Sequence, residues 1–141
     1  EAARITGTAG VRTAVEPTCD SLYWVRTCEV GWQSDEGVQV YPYLTRIQVY
    51  ESAEGAADFL RLVESPLSNE TLVSATPSTV VTYQQDEDAG EFVGIATTLD
   101  GTVVVTAVCH SSTSVGPSAA TDCASNLLAG QTPKAANLTW E

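Results

Sequence analysis

Two hydrophobic periods share this chain, and the points where one gives way to the other mark its elements. From residue 53 onward Ala53, Ala56, Ala57, Phe59, Leu60 and Val63 recur at helical spacing and form an apolar stripe. Ser52 stands before the stripe as an N-cap, and Pro66 lies just past its end. A second stripe, Ala120, Cys123, Ala124, Leu127 and Leu128, follows Pro117, a residue suited to a first helical turn. Gly130 then occupies the place of a C-terminal cap.

Between and before these stripes the pattern is that of strands. Phe92–Leu99 and Thr102–Cys109 flank Asp100-Gly101, a dipeptide suited to a tight hairpin. The run Thr102-Val103-Val104-Val105-Thr106-Ala107-Val108 is almost entirely β-branched and predicts a central strand. Val80-Val81-Thr82-Tyr83 opens another strand, turned by Asp86–Gly90. Val38–Tyr50 reads as a strand with a bend or an edge position at Pro42, because proline has no donor for the ladder. Leu22–Trp32 supplies one or two short strands, residues 65–79 a loop, and the tail near Trp140 a last short strand. In order this is β-β-α-β-β-β-α. Adjacent strands with helices set apart indicate an α+β fold: an antiparallel meander of about five strands with two helices packed on it. Residues 1–18 read as an extended arm and 19–141 as a single α+β domain, the size expected of one domain.

Charge narrows the partners. The net charge is -12, and residues 62 to 133 contain no Lys or Arg. Nucleic acids and anionic lipid surfaces are held chiefly by Lys and Arg, so neither is an expected partner. Cys19, Cys28, Cys109 and Cys123 are even in number and form no C-x-x-C pair. Disulfides account for them better than zinc, and disulfides imply an oxidising compartment. Pairing Cys19 with Cys28 and Cys109 with Cys123 makes each bridge flank one turn. No stretch approaches the length of a membrane-spanning helix, so any membrane attachment is expected through an anchor outside this chain.

The step Ile47-Gln48-Val49-Tyr50-Glu51-Ser52-Ala53-Glu54-Gly55-Ala56-Ala57, the late strand DGTVVVTAV and the final Ala-rich helix together resemble extracytoplasmic sensor-type domains and lipoproteins of actinobacteria. The extracellular domain of the PknH-like kinases is one such domain. A single Lys beside five Arg is compatible with a high-GC actinobacterial source. The resemblance spans about residues 44–130. It implies an α+β domain with two disulfides and a cleft, binding an unknown ligand or envelope protein outside the cell. It carries over no catalytic residue.

Candidate chemistry is sparse. His110 adjoins Cys109, but neighbours on a strand point to opposite faces and the cysteine is expected to be oxidised. No G-x-S-x-G elbow frames a serine. Asp86-Glu87-Asp88 with Glu91 lacks the later ligands of a calcium loop and reads as a charged hairpin tip. Asn69-Glu70-Thr71 and Asn137-Leu138-Thr139 fit the glycosylation sequon, which matters only in a secretory eukaryote. Aromatic residues gather in the first third, and Trp32, Tyr41 and Tyr43 are the candidate binding residues, since Tyr and Trp dominate binding hot spots. These observations point to a non-catalytic extracytoplasmic binding or sensor-like domain with no cofactor and no metal. The alternatives are an accessory subunit of a larger envelope complex, or a small secreted enzyme or inhibitor.

Overall fold

A computed structural model of the protein describes residues 11–14, 18–22, 25–34, 43–65, 69–136 and 138; side chains are described from residue 25 onward, except 30, 32–34 and 43. The elements in chain order are β1 (Val11–Ala14), β2 (Thr18–Leu22), β3 (Val25–Ser34), β4 (Tyr43–Tyr50), α1 (Ala53–Glu64), β5 (Glu70–Ala75), β6 (Thr79–Asp86), β7 (Glu91–Asp100), β8 (Val103–Ser112) and α2 (Pro117–Ala135). Six strands make the body of one sheet in the order β3-β4-β8-β7-β6-β5, and β1 and β2 both pair with β3. Every pairing is antiparallel. The α+β class and its two helices are as the pattern predicts, but the sheet has more strands than the five expected.

The extra strands escape hydrophobic patterning for a physical reason. β5 falls inside the expected loop 65–79, and Thr71–Ala75 are exposed. It is held by backbone pairing to β6 alone, so it has no buried face to impose a period of two on its sequence. β1 lies within the stretch read as an arm and pairs with the far end of β3. β4 pairs with β3 on one side and β8 on the other. It is therefore an interior strand, not the edge that Pro42 suggests; Pro42 itself and the expected strand at Trp140 lie outside the described residues.

β8 is the hub. Val103 to Ala107 are all buried, which happens when both faces of a strand are covered. Val103, Val105, Ala107 and Cys109 pack with Ala124, Leu127 and Leu128 of α2. Val104 belongs to a second cluster with Val25, Tyr50 and Ala56, the last on α1. The two helices thus cover opposite faces of the sheet. The hairpin from β7 into β8 closes on the pair Asp100–Val103, so its loop is Gly101-Thr102, one residue later than the Asp-Gly pair suggests. Gly101 has φ +61°, and glycine at the first loop position suits a type II′ turn.

The helices sit at different heights. α2 approaches closely because small residues face it: a Cβ on Gly94 would lie 2.4 Å from the carbonyl carbon of Ala120. Ala120 lies over Gly94, and Ala124 packs with Ala96 and Ala107, and all four alanines are fully buried. Gly130 does not end this helix, which runs on through Pro133 in its last turn to Ala135. Pro133 has no N–H to donate to the carbonyl of Ala129, so one intrahelical bond is absent in that last turn. The helix is tied to β8 by the disulfide Cys109–Cys123. Of the two expected bridges this is the one the described side chains contain. Cys19 and Cys28 are register partners on β2 and β3, and the Cys19 side chain lies outside the described part.

α1 starts as expected: the Ser52 hydroxyl accepts a hydrogen bond from the Gly55 N–H at 3.1 Å. It buries only Ala56 and Leu60. Its larger side chains hold it off the sheet, and the gap beneath becomes the site described next.

Candidate functional site

The face of the sheet under α1 differs in chemistry from the face under α2. Register decides which residues share it. Thr97 pairs with Thr106, and Thr82 with Ile95, so these four lie together on β6, β7 and β8. Val104 and Thr106 are two apart on β8 and share the α1 side. On the opposite side the same three strands present Val81, Ala96, Val105 and Ala107. The α2 side packs these aliphatic residues at its centre and carries Thr79 and Thr98, bonded to each other, toward one end of the strands, while the α1 side places three threonines at its centre.

Between that threonine floor and α1 is a cleft of about 440 Å³. Thr82, Thr97, Thr106 and Ile95 line its floor, and Phe59, Leu62 and Val63 of α1 form its apolar wall. Arg46 of β4 and Glu70 of β5 stand at its sides. The Thr97 and Thr106 hydroxyls are 3.3 Å apart and share one hydrogen bond. A hydroxyl carries one donor and two acceptor sites, so this bond leaves capacity on both groups. A second, smaller depression of about 310 Å³ adjoins the first along α1, since both are lined by Phe59 and Leu62. Tyr50, Glu51, Ser52, Gly55 and Asp58 also line it. Together the two form a groove running the length of the helix. Leu62, at their junction, is 72% exposed, and Leu72 of β5 is also exposed and lies on the same face as its partner Thr82.

Charge at the cleft is mostly compensated. Arg46 donates through Nε to the carboxylate of Glu29 on the neighbouring strand. Asp58 accepts from Arg61 one turn along α1. Glu70 has no cationic partner among the described residues. Tyr50 packs its ring against Phe59, with centroids 6.0 Å apart. Burial pushes its phenol above the usual tyrosine range, and the nearby Arg46 partly offsets the rise. The phenol therefore stays neutral across the physiological range.

Trp32 and Tyr43 are register partners on β3 and β4, and Tyr43 also pairs with Cys109. Their side chains, and all of Tyr41, lie outside the described residues. His110 Nδ1 is 2.9 Å from Glu91 Oε2 across the β7–β8 pair. The Asp86 carboxylate accepts from the Ala89 N–H at 3.1 Å, bracing the turn at the hairpin tip. Among the described residues no group of three or more His, Cys, Asp or Glu side chains is placed to hold a metal ion. The resemblance implied a cleft but named none of its residues, because its floor is assembled from single threonines in three strands. The available signal was a Thr within each apolar-rich strand, at positions 82, 97 and 106, but only the strand register shows that they converge.

The layering and topology also match a known domain. The fold is that of the PknH extracellular domain. The chain is similar to the solved extracellular domain of PknH from Mycobacterium tuberculosis, with a TM-score of 0.56 and 13% sequence identity, over 94% of this chain and 90% of that one. The likeness implied by the Ile47–Ala57 step and the late strand and helix thus holds at the level of fold. No family model matches the chain, and no curated protein does.

Proposed function

We propose that the protein is an extracytoplasmic, sensor-like binding domain, without catalytic activity, that takes a ligand into the cleft between α1 and the threonine floor. The cleft is the observation that carries the reading. It is concave, largely apolar and furnished with a few convergent polar groups, the usual makeup of a ligand site. The fold shared with an extracellular domain supports the location outside the cytoplasm, as does the Cys109–Cys123 bridge. A second bridge between Cys19 and Cys28 belongs to the same reading, as does attachment to the cell surface through a lipid or a membrane segment beyond this chain. The non-catalytic reading is supported by the cleft's lining, whose titratable groups in the main chamber are Arg46, already engaged by Glu29, and Glu70.

Nile red, a neutral apolar dye whose emission shifts blue on leaving water, tests the site. The folded domain is expected to bind it saturably with a single stoichiometric site. Replacing Ile95 by Trp fills the floor and should abolish the shift; replacing the exposed Leu62 by Trp crowds the mouth without touching the core. Unshifted emission with the native protein, or full binding by both folded variants, rules the cleft out.

A further inference from the structure

Resting on the cleft as the ligand site, we infer that its ligand is an uncharged, hydroxyl-bearing amphiphile: an alkyl chain or apolar ring system joined to a polyol or sugar head. Three observations converge on this chemistry. The first is the floor. Thr82 and Thr97 are 1% exposed and Thr106 8% exposed, and all three line the chamber at the centre of the sheet, where the α2 side has Val81, Ala96, Val105 and Ala107. Valine has the same shape as threonine, so a floor needed only to pack under α1 would be served by valine without desolvating three hydroxyls. Hydroxyls both donate and accept, and the partner that matches them in both roles is another hydroxyl.

The second observation is charge. An anionic ligand such as a fatty acid or a phospholipid needs a cation to meet it. Among the described residues Arg46 is the cation lining the chamber, and Glu29 holds it. The remaining charged groups along the groove, again among the described residues, are acidic: Glu70, Glu51 and Asp58, the last paired with Arg61. No Lys or Arg occurs from residue 62 to 133 to supply another. A cationic head is no better served, because the floor offers it hydroxyls while the carboxylates stand at the sides and mouth, where water screens them. The third observation is shape. Phe59, Leu62 and Val63 carry an apolar wall out of the chamber toward the adjoining depression, and Leu62 is left largely exposed at the junction. An apolar tail laid along α1 would cover that surface while the polar head meets the threonines.

Three probes of equal chain length separate the possibilities: octyl glucoside, octanoate and octylammonium, each titrated below its micelle concentration and followed by calorimetry. Octyl glucoside is expected to bind saturably and more tightly than either charged analogue. The double variant Thr97→Val/Thr106→Val should bind it about tenfold more weakly, the scale of two lost hydrogen bonds. Its unfolding midpoint should be unchanged or raised, because both partners of one hydrogen bond are replaced together by apolar groups of like shape. Equal affinity of the native and double-variant proteins for the glucoside, or tighter binding of a charged probe, overturns the ligand class. If that charged probe is lost in the Ile95→Trp variant, the cleft still stands as the site and only the ligand class falls. If no probe binds, both readings fall.

Discussion

Gly94 sets how near α2 can come. A methyl group there would meet the backbone of Ala120 and Thr121 at 2.4 to 2.6 Å, and backbone cannot swing aside as a side chain can. Gly94→Ala should therefore lift the first turn of α2 and cost about 1–3 kcal/mol, the usual range for overpacking. Urea unfolding of the purified variant measures it; an unchanged midpoint would mean that α2 slides freely over β7. Tyr50 acts through its proton. Its folded pKa is raised by burial, so the folded state keeps that proton at a pH where the unfolded chain releases it. The stabilisation is fully present below about pH 10, the ordinary tyrosine value, and is lost as pH rises through the higher folded value. A Tyr50→Phe variant should accordingly lose stability less steeply than the native protein above pH 10. Parallel slopes in thermal scans between pH 9 and 11 would show that the phenol does not titrate with unfolding.

At the scale of elements, the two helices illustrate opposite ways of using a sheet. α2 lies close on small residues and is held in addition by the Cys109–Cys123 bridge, which closes a loop with a sequence separation of 14. A cross-link of that span stabilises by about 3 kcal/mol in the chain-entropy account. Replacing Cys109 and Cys123 by Ala should lower the unfolding free energy by about that amount, and reductant, which also opens a Cys19–Cys28 bridge, should cost the native protein at least as much. If reductant has no effect although free thiols appear, the bridge carries no stability. α1 stands off the sheet on Phe59 and its neighbours, and this separation leaves room for a ligand. These elements were also the most legible in sequence. Ser52 as cap, the α1 stripe and the β-branched run of β8 each satisfy a local rule that tertiary contacts reinforce. β5 was not legible, because a strand exposed on both faces carries no periodic signature. Gly130 misled, since Ala124, Leu127, Leu128 and then Gln131 and Ala135 keep the helix buried beyond the residue that would otherwise end it.

For the molecule as a whole, the fold class was readable from strand order and the Cys109–Cys123 bridge from the cysteines, whereas the residues of the cleft were not. Its threonines come from β6, β7 and β8, and their side of the sheet depends on a register that no single stretch of sequence contains. The one-sided charge also acquires a location: the carboxylates Glu51, Asp58 and Glu70 gather along the groove beside α1.

Because β8 faces both helices, neither half of the interior can dissolve while the other persists. Deuterium should enter the backbone amides of Val104 to Val108 that bond to β4 and β7 later than those of any other segment, and at a common rate, since only opening of the entire domain bares them to solvent. Faster uptake in β8 than in β6 would mean that the protein comes apart as two halves along that strand, and exchange mass spectrometry on short peptides distinguishes the two.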